Sequence, residues 1–427
     1  MGIAMKQRFE RLKTQLRHDI GTRIDFLRDT SVYETELYRL IQDLPKGADL
    51  HAHADAILPI DEQVAFMADH PELVVRMDGP LPGMIRYRGE GPADPGFRTM
   101  RELLEGGATV EDFRRVWTLL GAGADTYLWD WFEGIFTRCG AICTSPKLVE
   151  DYYTRVMQYY HAMGVEHLEL RCPFFGTKED ALARGKAFYR ALESVRRRDP
   201  LFTLRIVACG GKNDLWDPQF DTLMDNALYV REHVKDEARG GADMIVAIDI
   251  VNDEDRSYSL SRYEDRVRRI MGSNPGLHLT LHAGESLRGE NAEIAIALRC
   301  GIERLGHGFN LYRYPNLQEE VLRRQICIEV CPISNRELGY CSDFSLHPAK
   351  AYREAGIPLV ICSDDPAYQA KSVLTGDYLA VALGWDLSLD DLGGLFRNSI
   401  TYSFLAPADK QALLTWWEEA WQKALMQ

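Results

Sequence analysis

Eight short apolar runs, each followed by a polar loop and a longer amphipathic stretch, constrain this chain more than any other feature. They are Ala48–His51, Leu168–Cys172, Phe202–Cys209, Met244–Ile250, Leu277–His282, Arg304–His307, Ile326–Cys331 and Ile357–Ser363. Most are too short and too uniformly apolar to alternate, which suits parallel strands buried on both faces. Strands separated by helical stretches read as βαβ units, and eight such units close a (β/α)8 TIM barrel of the α/β class. A length of 427 residues would by itself allow two or three domains. The runs favour one large barrel over 45–427, behind an N-terminal helical arm, 1–44, in which Phe9, Leu12, Leu16, Ile20, Leu37, Leu40 and Ile41 recur at helical spacing.

The first and second runs are separated by an insertion, 58–160, far longer than an ordinary connection. Its Asp78–Gly96 stretch is rich in Gly and Pro and reads as a long loop or flap. Helical patterning resumes over Glu111–Gly140, around Trp117, Trp129 and Trp131. Near the C-terminus Pro407 marks a helix start, with Leu413, Trp417 and Trp421 on one face as core packing.

Lys and Arg number 50 against 64 Asp and Glu, a formal charge of −14, which disfavours nucleic acid and anionic membrane as partners. No apolar run reaches the roughly 18–20 residues of a membrane span. The N-terminus lacks the apolar centre of a signal peptide, and Lys6 stands where a myristoylation signal wants Ser or Thr. The nine cysteines are scattered, and the Cys139/Cys143 and Cys327/Cys331 pairs lack zinc-knuckle spacing. Reduced thiols and a cytoplasmic location are the expectation.

The chemistry lies where polar residues meet strand ends. His51 and His53 sit two apart, so period-two alternation points both into the barrel. The fifth run ends in His282, with Glu285 three residues on, the sixth ends in His307, and the eighth leads into Asp364 and Asp365. Barrel chemistry gathers at the C-terminal ends of strands, so four strands deliver four histidines and three acids to one rim. A structural histidine or an acid before proline is commonplace alone. Four strands ending together in ionisable groups would need four separate sets of partners. Three neutral imidazoles and one carboxylate suit zinc or another divalent first-row ion, which lowers the pKa of bound water. Glu285, Asp365 and His307 are then left for proton transfer.

The set PKGADLHAHAD, LHAGE, RLGHG and SDDP resembles the adenosine deaminase family of the amidohydrolase superfamily, from Pro45 to about Tyr378. RLGHGFNL, IEVCPISNRELGYCSDFSLHP and ICSDDPAY most resemble its growth-factor-like branch. The resemblance implies zinc, one ion per chain, on His51, His53, His282 and Asp364. It implies that Glu285 shares a proton with purine N1, that Asp365 meets N7, and that His307 orients and deprotonates the water. It also implies that Asp55 binds a ribose hydroxyl and that Gly284 lets the purine lie close to the backbone. Asn252 stands where the family usually has the glycine whose amide meets N3, and its own N–H can serve.

The implied reaction is hydrolytic deamination of adenosine or 2′-deoxyadenosine, with a small-molecule purine and water as partners and a homo-oligomer possible. An adenine nucleotide monophosphate, another aminopurine or another amidohydrolase-type substrate is the alternative, and a non-catalytic scaffold the third reading. The glutamate of HAGE disfavours lactone or amide hydrolysis, because N1 protonation suits an aza-aromatic ring. Lys46, Lys212, Arg288 and Arg336 are the loop cations that could meet a phosphate, and they form no dense cluster. Ser334, Asn335 and Arg336 are candidate rim contacts, with a solvated surface role favoured for the arginine.

Overall fold

The computed structural model describes residues 2–79, 81–88, 96–144, 148–369 and 372–426. Eight parallel strands form one sheet in sequence order: β1 (Gly47–His53), β2 (Val165–Cys172), β3 (Thr203–Gly211), β4 (Ile245–Val251), β5 (His278–Ala283), β6 (Arg304–His307), β7 (Cys327–Val330) and β8 (Leu359–Ile361). All eight expected runs are strands. The sheet curls until Ala52 of β1 bridges Asp364 just beyond β8, where the Asp364 amide donates to the His51 carbonyl at 2.8 Å and the His53 amide to the Asp364 carbonyl at 3.0 Å. The eight strands thus make a nearly closed barrel. Nearly every strand residue is buried, which explains the continuous apolar runs.

The N-terminal segment forms helices Ile3–Ile20 and Glu36–Gln42, with a short 3-10 turn, Thr30–Glu34, between them. Phe9, Leu16, Leu37 and Ile41 join the main hydrophobic core. On the C-terminal helix, Pro407–Leu425, Trp417 and Trp421 stack at 5.7 Å, and the Trp417 indole donates to the Pro45 carbonyl beneath β1. That tryptophan stripe is core packing, as its spacing implies.

The region after β1 departs from the expected flap. Within Asp78–Gly96, Met84–Tyr87 is a strand paired antiparallel with Leu73–Arg76, whose other edge carries Arg98–Thr99. Val75 and Ile85 bury the inner face of this small sheet, a two-residue alternation too short to stand out in so Gly- and Pro-rich a stretch. Pro80 and residues 89–95 of the expected flap lie outside the described residues. The sheet backs helix Leu128–Cys139, and the Trp117 indole ties it down through the Gly83 carbonyl. Helix Val149–Ala162 packs on β2 and on the next helix, Lys178–Arg196, as the crossover that leads into β2. Eight cysteines with described side chains are free thiols. No helix among the described residues is long and apolar enough to cross a membrane.

Candidate active site

The alternation of β1 brings His51 and His53 to the same face, and the barrel's curvature sets them against His282 and Asp364. Nε2 of His282 lies 3.1 Å from Nε2 of His51 and 3.3 Å from Nε2 of His53. Oδ1 of Asp364 lies 3.4 and 3.3 Å from the same two His51 and His53 atoms. The other ring nitrogens are taken: Nδ1 of His51 donates to Glu329 at 2.7 Å, and Nδ1 of His282 to Asp249 at 2.8 Å. When neutral, each of these two rings therefore presents a lone pair at Nε2, and two lone pairs 3.1 Å apart repel unless a cation lies between them. The four residues form a group able to hold a metal ion.

Above this tetrad stand the three remaining polar groups. His307 has Nδ1 3.5 Å from Oε1 of Glu285 and Nε2 4.0 Å from Oδ2 of Asp364. Oε1 of Glu285 and Oδ1 of Asp365 are buried without a hydrogen-bond partner in the protein. Burial, then the charges of Asp364, Glu254 and Asp253, push the Glu285 carboxyl well above the ordinary range. Burial and neighbouring Asp364 do the same to Asp365. Burial disfavours the charged form of Asp364 too, but hydrogen bonds with His51 and His53 hold it well below the usual carboxylate range. The surroundings thus favour the ionised form of Asp364 and the protonated form of the two carboxyls beside it.

Backbone conformation aims these side chains. His307 (φ 61°), Asp364 (φ 59°) and Asn252 (φ 93°) all occupy the left-handed region that side-chain-bearing residues avoid, a cost concentrated at functional sites. Asn252 offsets it by accepting the Lys212 amide at 3.0 Å and donating to Glu133 at 3.3 Å, so it clips the end of β4 to helix Leu128–Cys139. Gly284 has φ 86°, and a Cβ there would meet Ile294 at 2.7 Å and Asn310 at 2.9 Å. Packing behind the loop, together with the positive φ, requires a glycine here. The Gly284 and Glu285 amides both donate to Glu254, at 2.8 and 3.2 Å, which anchors the loop.

These residues open onto a cavity of about 270 Å³. His53, Asp55, Asn252, His282, Glu285, His307, Asp364 and Asp365 all line it. Its outer wall is aromatic: Trp129, Phe132 and Phe136 from the insertion face Phe175 and Trp216. Glu133 and Asn213 add polar groups to the same wall.

The candidate cations do not gather here. Lys46 is buried at the opposite end of the barrel, where it donates to the carbonyls of Gln42, Leu44 and Met163. Lys212 is buried 3.8 Å from Glu293. Arg288 is paired with Asp255. Arg336 is not a solvated surface arginine: it is mostly buried and paired with Asp25 and Glu337, because the N-terminal segment folds over the loop after β7. Ser334 and Asn335 are fully buried rather than on the rim. Ser334 accepts a bond from Gln369, and Asn335 contacts His307.

Sequence reading passed over a tier of charge beneath the tetrad. Arg171 joins Asp249 and Glu329, and Arg304 joins Glu329 and Glu169, all fully buried. Their signal was present as charged residues inside otherwise apolar strands, which only dense internal pairing tolerates.

Residues 219–419 match the family model described as adenosine deaminase. Adenosine deaminase 2 of Dictyostelium discoideum is 27% identical over 424 residues, covering 93% of this chain and 76% of that protein. The chain is thus similar to adenosine deaminases over most of its length, and its C-terminal half carries the match to that family's model. Its similarity to adenosine deaminase 2 sequences agrees with the growth-factor-like branch, and it is an adenosine deaminase-like aminohydrolase. The fold matches the apo N6-methyl-AMP deaminase of Arabidopsis thaliana with a TM-score of 0.66 at 19% identity, over 90% of this chain and 99% of that one. A zinc-bound amidohydrolase from Burkholderia ambifaria matches with a TM-score of 0.63 at 17% identity, over 91% and 93%.

Proposed function

We propose that this aminohydrolase binds zinc and hydrolyses adenosine or 2′-deoxyadenosine to the inosine form and ammonia. The observation that carries the reading is the pair of buried, unpartnered carboxyl oxygens, on Glu285 and Asp365, facing the cavity beside the metal tetrad. Both groups are biased toward protonation, so each can donate to a ring nitrogen. Glu285 would give its proton to N1 as C6 is attacked, and Asp365 would hold N7. Bound zinc supplies an electrophilic centre that acidifies water.

Zinc fits the ligand set. Three imidazoles and a carboxylate are the donor types zinc takes, and His282 and Asp364 each stand 3.1 to 3.4 Å from both His51 and His53, close enough for one ion to be shared. His51, His53, His282 and Asp364 would hold the ion, with Glu329 and Asp249 orienting the first and third rings. His307 would stand beside the attacking water. Asp55, Glu133 and Asn213, which line the cavity, would meet sugar hydroxyls, and the aromatic wall would meet the purine faces.

A nucleoside fits better than the 5′-monophosphate implied by the Arabidopsis enzyme's name. Arg171 is the one cation lining the cavity among the described residues, and it is bound to Asp249, Glu329 and the Leu50 carbonyl. Glu133 and Asp55 face the same space, so a phosphate would meet acids rather than a free cation. The test is to incubate zinc-loaded protein with adenosine, deoxyadenosine, AMP and N6-methyl-AMP and follow the ultraviolet change. Adenosine or deoxyadenosine should give the highest kcat/KM. Preference for AMP would overturn the nucleoside assignment, and no turnover of any aminopurine would overturn the reaction.

A further inference from the structure

A chain of three buried hydrogen bonds runs from the backbone of helix Ala349–Glu354 to His307, and its direction is set at one end. The Ala349 amide donates to Nδ1 of His347 at 3.2 Å. A backbone N–H can only donate, so Nδ1 of His347 carries a lone pair. Burial keeps that ring neutral, with its pKa lowered to about 3, and its proton is therefore on Nε2. Nε2 lies 3.1 Å from Oδ1 of Asn335, a carbonyl oxygen that accepts it. The amide of Asn335 is thereby oriented, leaving Nδ2 to face Nδ1 of His307 at 3.4 Å. Nδ2 is a donor, so Nδ1 of His307 is the acceptor.

We infer that Asn335 and His347 are positioning residues that fix His307 as the Nε2–H tautomer, so that His307 meets the reacting oxygen as a hydrogen-bond donor. A singly protonated ring of this tautomer has no lone pair at Nε2 with which to take a proton from water. His307 thus orients the oxygen without abstracting its proton, which would pass to solvent through the open cavity before attack, as a bound metal's acidification of water allows; this revises the base role implied by family resemblance. The inference rests on the proposed reaction only for its consequence; the tautomer follows from the chain of bonds. Asn335 and His347 are 0% and 2% exposed, so water does not interrupt the relay.

The test uses full-length, zinc-loaded protein with 15N-labelled histidine, in which two-bond couplings report the tautomer of each ring. His307, assigned by comparison with His307→Gln, should show a proton on Nε2 and a lone pair on Nδ1. In Asn335→Asp a carboxylate replaces the donor and should draw the proton to Nδ1, with zinc content unchanged. We expect kcat to fall about tenfold or more while KM moves less than about twofold, because the loss is in orientation rather than binding. A wild-type spectrum with the proton on Nδ1 would overturn the inference. So would Asn335→Asp with unchanged tautomer and kcat. If that variant does not fold, the wild-type spectrum alone decides. A correct tautomer in a protein that turns over no aminopurine would instead remove the proposed function and leave the relay standing.

Discussion

At the mouth of the barrel Glu285 and Asp365 each keep a buried oxygen without a partner, whereas one layer deeper Glu329, Asp249 and Glu169 have partners on both oxygens. The two tiers are built from the same residue types within one set of strands. In the lower tier every charge is answered by Arg171, Arg304, a histidine, a hydroxyl or an amide. In the upper tier like charges crowd together and three side-chain-bearing residues, Asn252, His307 and Asp364, sit at positive φ. The contrast teaches that unanswered polarity is tolerated only where a ligand can answer it, and that the layer beneath must be fully satisfied to hold it in place.

The comparison can be broken at its extremes. Glu285→Gln should fold, retain zinc and lose activity by about 10²–10⁴-fold, the usual worth of a positioned acid. His282→Ala should lose both zinc and activity, so metal content and turnover measured together separate the two variants. Substantial turnover in Glu285→Gln would remove the acid role.

In the lower tier the largest effect should be on stability. Arg304→Met removes the guanidinium on Glu169 and one of the two on Glu329 and should cost about 3–5 kcal/mol by urea unfolding. A loss below about 1 kcal/mol would mean that the buried pairs are not what supports the tetrad.

Acid should dismantle the same tier. Burial alone would raise the Glu169 carboxyl, but the Arg304 guanidinium and His167 hold it down to about 2 from the ordinary 4.5. Its contribution is therefore present above pH 4.5 and lost as pH falls toward 2. About 3 kcal/mol of stability should go across that window, and Glu169→Gln should flatten this part of the curve. An unchanged slope in the variant would assign acid lability elsewhere.

The smallest effect is expected at the join between β4 and the insertion. Asn252→Gly relieves the left-handed backbone but removes the bonds to the Lys212 amide and Glu133. The two changes should nearly cancel, leaving unfolding stability within about 1 kcal/mol.

Much of the upper tier was legible in the chain itself. Strand-end position and two-residue alternation are local properties, so His51, His53, His282 and Asp364 could be picked out and are found together. The short sheet around Met84–Tyr87 was hidden because its strands are brief and interrupted by glycine and proline. The lower tier was hidden for another reason. Glu329 and His51 are 278 residues apart, and nothing near either one announces the other. Arg336 was misread similarly, since its partner Asp25 lies in the N-terminal segment.

The sequence by itself determined the barrel and the rim on which its ionisable residues meet. Strand periodicity and the chirality of βα units act over a few residues at a time and leave little choice. Only the tertiary structure decided which acids are answered and which are left open, whether any cation is free for a phosphate, and where the proton of His307 resides. Those outcomes depend on electrostatic and hydrogen-bond partners brought together across the whole chain, and burial magnifies each of them.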